Sequence, residues 1–185
     1  MPVYELDDLV PRISPTAFVH PDAVVIGDVE IGDEASVWPT AVLRGDHGRI
    51  VVGARTSVQD GTVVHTTAEW PTLLGADCVV GHVVHLEGCV VEDRCLIGSG
   101  SVVLNRARIG TGSVVGAAAL VTEDTVVAPA SMALGVPARG RPMDPAEQAG
   151  WIDYAVRTYV DSARRYRAGL RLHRPAGLPA GVPAS

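Results

Sequence analysis

The feature that most constrains this chain is an apolar ladder with a period of six. It runs Ile31, Val37, Leu43, resumes after DHGR at Val52, Val58 and Val64, and resumes after the TTAEWPT segment at Leu74, Val80 and Leu86. One residue then drops out, and the series continues from Val91 through Ile97, Val103, Ile109, Val115, Val121 and Val127 to Ala133. The fifth position of the hexad is small or valine, as at Ala35, Ala41, Thr56, Thr62, Cys78, Val84, Val90, Cys95 and Ser101. Persistence of this kind marks stacked coils. Three hexads close one triangular coil of roughly 18 residues, with parallel strands on three faces. Positions one and five point inward and must be small or apolar. Glycine often follows position one (Gly32, Gly53, Gly75, Gly81, Gly98, Gly110), where special dihedrals are easiest for it.

Composition fits narrow layers: aromatics are 4% of the 185 residues, too few for a bulky core. A net charge of -6 offers nothing to nucleic acid or an anionic membrane, so neither is expected as a partner. MPVYELDDLVPRIS has no apolar signal-peptide core, and no run of apolar residues is long enough to span a bilayer. The cysteines, Cys78, Cys89 and Cys95, are odd in number. That favours reduced thiols, Cys78 and Cys95 as core packing, and a cytoplasmic location.

The ladder ends around GVPARGRP (135–142). Asp144, Pro145 and Glu147 then predict a capped helix start, and Ile152, Ala155, Val156, Tyr159, Val160 and Ala163 an apolar helical stripe. Asp153 with Arg157, and Asp161 with Arg165, are expected to pair at i,i+4. The expected organisation is an all-β solenoid over 1–142, a C-terminal α-helix within 143–173 packing on the solenoid or a neighbouring subunit, and a disordered Pro/Gly/Ala-rich tail over 174–185.

His65, His82 and His85 lie inside the ladder, in VVH and VGHVVH. Side chains alternate in and out along each face. His65 and Glu87 follow inward Val64 and Leu86, so they should stack on adjacent coils. His82, two residues after Val80, points out from the preceding face. One subunit cannot bring His65, His82 and Glu87 onto one ion, whereas two packed side by side can, which predicts a cyclic homotrimer.

The period resembles the left-handed parallel β-helix of hexapeptide-repeat proteins. VLRGDHG (42–48), VQDG (58–61), VVH (63–65), VGH (80–82), LEGC (86–89), LIGSGSVVL (96–104) and GVPAR (135–139) resemble the gamma-class carbonic anhydrases over approximately residues 11–170. The resemblance implies Zn²⁺, or Fe²⁺ or Co²⁺, held between subunits of a trimer, whose bound hydroxide attacks CO₂ to give bicarbonate. His65 and His82 take the first two ligand positions. The third departs from the family pattern: Glu87 stands where histidine is usual, with His85 two residues earlier. Stacking favours Glu87, with His85 as alternative ligand or as a partner of the ligands. The resemblance further implies an interfacial ion-pair set of Arg44, Asp46 and Asp60, Gln59 orienting the hydroxide, and Glu69 as a proton shuttle or a solvated loop acid. Two other functions remain open: a hexapeptide-repeat acyltransferase or thioesterase using coenzyme A, and a non-catalytic trimer with a weakened metal site.

Overall fold

The computed structural model describes residues 2–173, without the side chains of Pro145, Glu147 and Gln148. It is a left-handed parallel β-helix closed by one C-terminal helix, α1, Pro145–Gly169. The ladder is its axis. Ile31, Leu43, Leu74, Leu86, Ile97 and Ile109 are fully buried in one continuous core. Thr56 and Thr62 at position five are buried too, and their hydroxyls tie coils together. Thr56 Oγ1 donates to Gly75 O at 2.6 Å and Thr62 Oγ1 to Gly81 O at 2.7 Å, so neither is left unpaired.

Two faces merge into a 12-stranded sheet because the strand Val42–Val52 turns a corner without breaking. It pairs with Val63–His65 on one face and Thr72–Leu74 on the other. The DHGR segment, an interruption in the ladder, is therefore part of a strand. The third face is an 8-stranded sheet that includes Ser57–Val58, Val79–Val80 and Leu96–Ile97. An antiparallel pair, Ser131–Leu134 with Arg139–Pro142, finishes it.

Two details of the hexad differ from expectation. The residue lost after Leu86 falls at the corner, where Gly88 has φ +56°, so Cys89 points inward and Val90 outward. Burial pushes the Cys89 thiol up to about 12, as suits a packing group. The glycines after position one are not there for special dihedrals. A Cβ on Gly53 would lie 2.4 Å from the backbone of Gly75 in the next coil. Left-handed φ occurs instead at position four, mostly in residues other than glycine, such as Glu34, Arg55, Asp77 and Arg94.

Helix α1 lies on the third face of its own protomer. Ile152, Val156 and Val160 pack against Val79 and Val114, and each such side chain contributes about 1.5–3 kcal/mol on burial. Asp144 caps the helix by accepting from Ala146 N at 2.8 Å. The expected Glu147 half of the cap, and the tail over 174–185, lie outside the described residues. The expected i,i+4 pairs are replaced. Asp153 binds Arg94 at 2.8 Å, Asp161 meets Arg164, and Arg164 also reaches Glu34 at 2.6 Å. Helical charges pair with a corner column of the solenoid because that column alternates Glu34, Arg55, Asp77 and Arg94. No helix among the described residues is long and apolar enough to cross a membrane.

Candidate functional site

The ladder register decides which polar groups meet. Leu43, Val64 and Leu86 point inward, so the residue after each rung on the histidine-bearing face points out: Arg44, His65 and Glu87 are direct partners on successive coils. His65 Nδ1 lies 3.1 Å from Glu87 Oε1, and its Nε2 lies 3.3 Å from Asp46 Oδ1. His85 Nε2 approaches the other oxygen of Glu87 at 3.2 Å. Arg44 binds Asp46 through a single N–H, and His47 stands edge-on to His65 at 6.2 Å.

The electrostatics follow from that geometry. Burial alone would raise the Glu87 carboxyl, but hydrogen bonds from His65 and then His85 outweigh it, and the net effect is downward. Asp46 behaves alike: burial opposes ionisation, and the Arg44 guanidinium overcomes it. Glu87 is thus an ionised acceptor between two imidazoles. His65 has a carboxylate within hydrogen-bond distance of each ring nitrogen.

The preceding corner carries a second arrangement. Asp60 and His82 stand two residues after Val58 and Val80, so they occupy the same corner position on successive coils. His82 Nδ1 is 2.9 Å from Asp60 Oδ2. A carboxylate only accepts, so Nδ1 carries the proton and Nε2 is left as the acceptor. Both side chains are half exposed, at 50% and 48%. Within one protomer Asp60 thus pairs with His82, apart from the Arg44–Asp46 ion pair. The signal was present in the sequence as equal spacing from the rungs.

The remaining expected residues are dispersed. Gln59 is 3% exposed, beside Trp38 one coil away. Glu69 is exposed on the loop after His65. Among the described residues no three His, Cys, Asp or Glu side chains form a group that could hold a metal. His82 belongs to the corner with Asp60, while His65, His85 and Glu87 are joined to one another.

No family model matches the chain. Over 175 residues it is 35% identical to carnitine operon protein CaiE of Escherichia coli, covering 95% of this chain and 89% of that protein. A hexapeptide transferase family protein from Anaplasma phagocytophilum is 35% identical, with a TM-score of 0.84 over 89% of this chain and 96% of that one. A Bacillus cereus protein described as a candidate acetyltransferase is 33% identical, with a TM-score of 0.87 over 89% and 96%. PerB from Caulobacter crescentus, solved with CoA and GDP-perosamine, is 28% identical, with a TM-score of 0.53 over 72% of this chain and 57% of that one.

These findings overturn the expectation of a carbonic anhydrase. The similar structures are named as transferases or hold CoA, and among the described residues of one protomer no three His, Cys, Asp or Glu side chains form a group that could hold a metal. The zinc, iron or cobalt cofactor, the assignment as a lyase, CO₂ and bicarbonate as substrates, and the ligand roles of His65, His82, His85 and Glu87 fall together. Within one protomer Glu87 is a hydrogen-bond partner of both neighbouring imidazoles, His65 and His85.

Proposed function

The chain belongs to the hexapeptide-repeat, left-handed β-helix family that includes carnitine operon protein CaiE, and from that membership we propose that it is a coenzyme A-dependent acyltransferase acting on a small amine or hydroxyl acceptor. The observation that carries this reading is the Asp60–His82 pair, with an oriented imidazole and a free Nε2 at an open corner. PerB, a relative at 28% identity, holds CoA together with a sugar nucleotide, which supports the donor and leaves the acceptor open.

Coenzyme A supplies an activated acyl carbonyl and a thiolate leaving group when bound. His82 Nε2 takes the proton of the acceptor N–H or O–H as that atom bonds to the carbonyl carbon. The same imidazole returns the proton to sulfur as the carbon–sulfur bond breaks. Asp60 keeps Nδ1–H in place throughout and stabilises the transient imidazolium. His65, with a carboxylate at each ring nitrogen, is not placed to act as the base.

The open corner needs further walls. The cavity of about 410 Å³ beside α1 is lined by residues such as Glu34, Arg55, Asp77 and Arg157 at a different corner, without His82. We assign the missing walls to a second copy of the chain in a homotrimer. Two solenoid faces are left uncovered by α1 and carry outward apolar columns, including Val63 and Val102 on one and Val51, Leu73 and Val90 on the other.

The test is thiol release from a panel of acyl-CoA thioesters with amine and hydroxyl acceptors. Acceptor-dependent release is expected, falling about 10²–10⁴-fold in His82→Ala. Release without acceptor, yielding the free acid, would move the reading to thioester hydrolysis. No release from any thioester would end it.

A further inference from the structure

Acyl transfer develops charge on the carbonyl oxygen, and the coil after His82 offers a donor for it. Ile97 pairs with Val80, and Ser99 stands two residues after Ile97. Asp60, His82 and Ser99 therefore hold one corner position on three successive coils. Ser99 Oγ accepts from His82 N at 3.2 Å, and Gly100 N donates to His82 O at 2.8 Å. Both backbone polar groups of His82 are thus gripped by one dipeptide. The hydroxyl can sit there because Gly81 has no side chain: a Cβ on Gly81 would lie 2.9 Å from Ser99 Oγ. A hydroxyl has one hydrogen to give besides its lone pairs. The His82 N–H takes a lone pair, and the hydrogen has no acceptor among the described residues. Ser99 and Gly100 are exposed, and a Cβ on Gly100 would meet nothing within 4 Å. The space beside the hydroxyl is open.

We propose that Ser99 is a catalytic residue: its O–H donates to the acyl carbonyl oxygen and stabilises the negative charge that forms there while His82 acts as base. This rests on the acyltransferase reading. The acceptor atom bonds to the carbonyl carbon as His82 Nε2 takes its proton, and the carbonyl electron pair moves onto oxygen. Ser99 keeps its own proton throughout. When the carbonyl re-forms, the carbon–sulfur bond breaks and the thiolate is protonated by the His82 imidazolium. Base and oxyanion donor must each lie about 3 Å from different substituents of one carbon. Neighbouring coils, spaced by about 4.8 Å, suit that requirement. Ser99 is bonded to the His82 backbone and Asp60 to the ring, which casts Ser99 as donor and leaves proton removal to the imidazole. A donor already fixed on the folded backbone needs no reorganisation as the charge develops.

The experiment compares full-length wild type, Ser99→Ala, Ser99→Thr and His82→Ala with an acyl-CoA thioester and with its dithioester analogue, in which C=S replaces C=O and accepts hydrogen bonds poorly. Ser99→Ala is expected to lower kcat on the order of 10²-fold with KM for the thioester unchanged. The wild-type preference for thioester over dithioester shrinks about tenfold or more in Ser99→Ala, because the donor that distinguishes oxygen from sulfur is gone. Ser99→Thr, which keeps the hydroxyl, retains both rate and preference. The pH profile of kcat/KM stays that of wild type, since His82 remains the base. An unchanged thioester preference in Ser99→Ala overturns the proposal even if the rate falls, because a purely structural loss slows both substrates alike. Wild-type activity in Ser99→Ala beside an inactive His82→Ala removes Ser99 and leaves the function reading standing. A wild type that transfers no acyl group ends both.

Discussion

Glu87 accepts from two imidazoles at once, which makes it the centre of the polar network on the histidine-bearing face. A carboxyl that ionises more readily in the folded chain stabilises the fold above its unfolded value of about 4.3, and loses that contribution as pH falls through the lower folded value. Glu87 is of this kind. Glu87→Gln should therefore cost on the order of 1 kcal/mol near neutral pH. The gap from wild type should close on acidification below the ordinary carboxylate range. Thermal unfolding of both proteins from pH 7 to pH 3 checks it, and a constant gap would refute the assignment. The stacking of His65 on Glu87 was legible in the sequence because Val64 and Leu86 fix the register. The Asp60–His82 pair was legible by the same rule from Val58 and Val80. What hid it was the motif resemblance, which ties Asp60 to Arg44 and Asp46. Side-chain choice between two candidate partners depends on distances that a register does not contain.

At the level of the coil, glycine and the corner residue have exchanged the roles expected of them. At several glycines after position one, such as Gly53 and Gly98, the coils approach so closely that a Cβ would meet backbone of the next coil. Gly53 is hemmed in by Gly75 at 2.4 Å, whereas Gly100, with φ +68°, has nothing within 4 Å of its would-be Cβ. Gly53→Ala should then destabilise more than Gly100→Ala, even though only Gly100 has a left-handed φ. The first forces coils apart, a strain that typically costs 1–3 kcal/mol or more. The second costs about 1–2 kcal/mol in dihedral energy, which neighbouring corners with Arg55, Asp77 and Val83 already bear. Chemical denaturation of the two variants distinguishes these causes; equal losses, or a larger one at Gly100, would reverse the account. The period of six was enough to find the inward residues, because burial selects them directly. Contacts between successive coils lie outside that period, so the reason for glycine was not.

For the whole molecule, the scaffold was readable and the chemistry was not, since one solenoid displays different sites through a few outward residues. RGD and QDG lie where coils turn and faces meet, a scaffold position that does not by itself fix a chemistry. The same reasoning bears on assembly. Helix α1 covers one face, leaving the columns headed by Val63 and Leu73 on the other two. Val63 is 37% exposed between Val42 and His85 on a flat parallel face, a position that a neighbouring copy would bury. The 19.3 kDa chain should elute with three times its protomer mass in light scattering at micromolar concentration. Val63→Asp should shift it toward the monomer by placing an unpaired charge in an apolar contact. Acyl transfer should fall with it if the second copy supplies walls around His82, while far-ultraviolet dichroism stays unchanged because the core ladder is intact. A wild type that remains monomeric under those conditions would remove the second copy from the site, and the acceptor would then have to bind at the open Asp60–His82 corner alone.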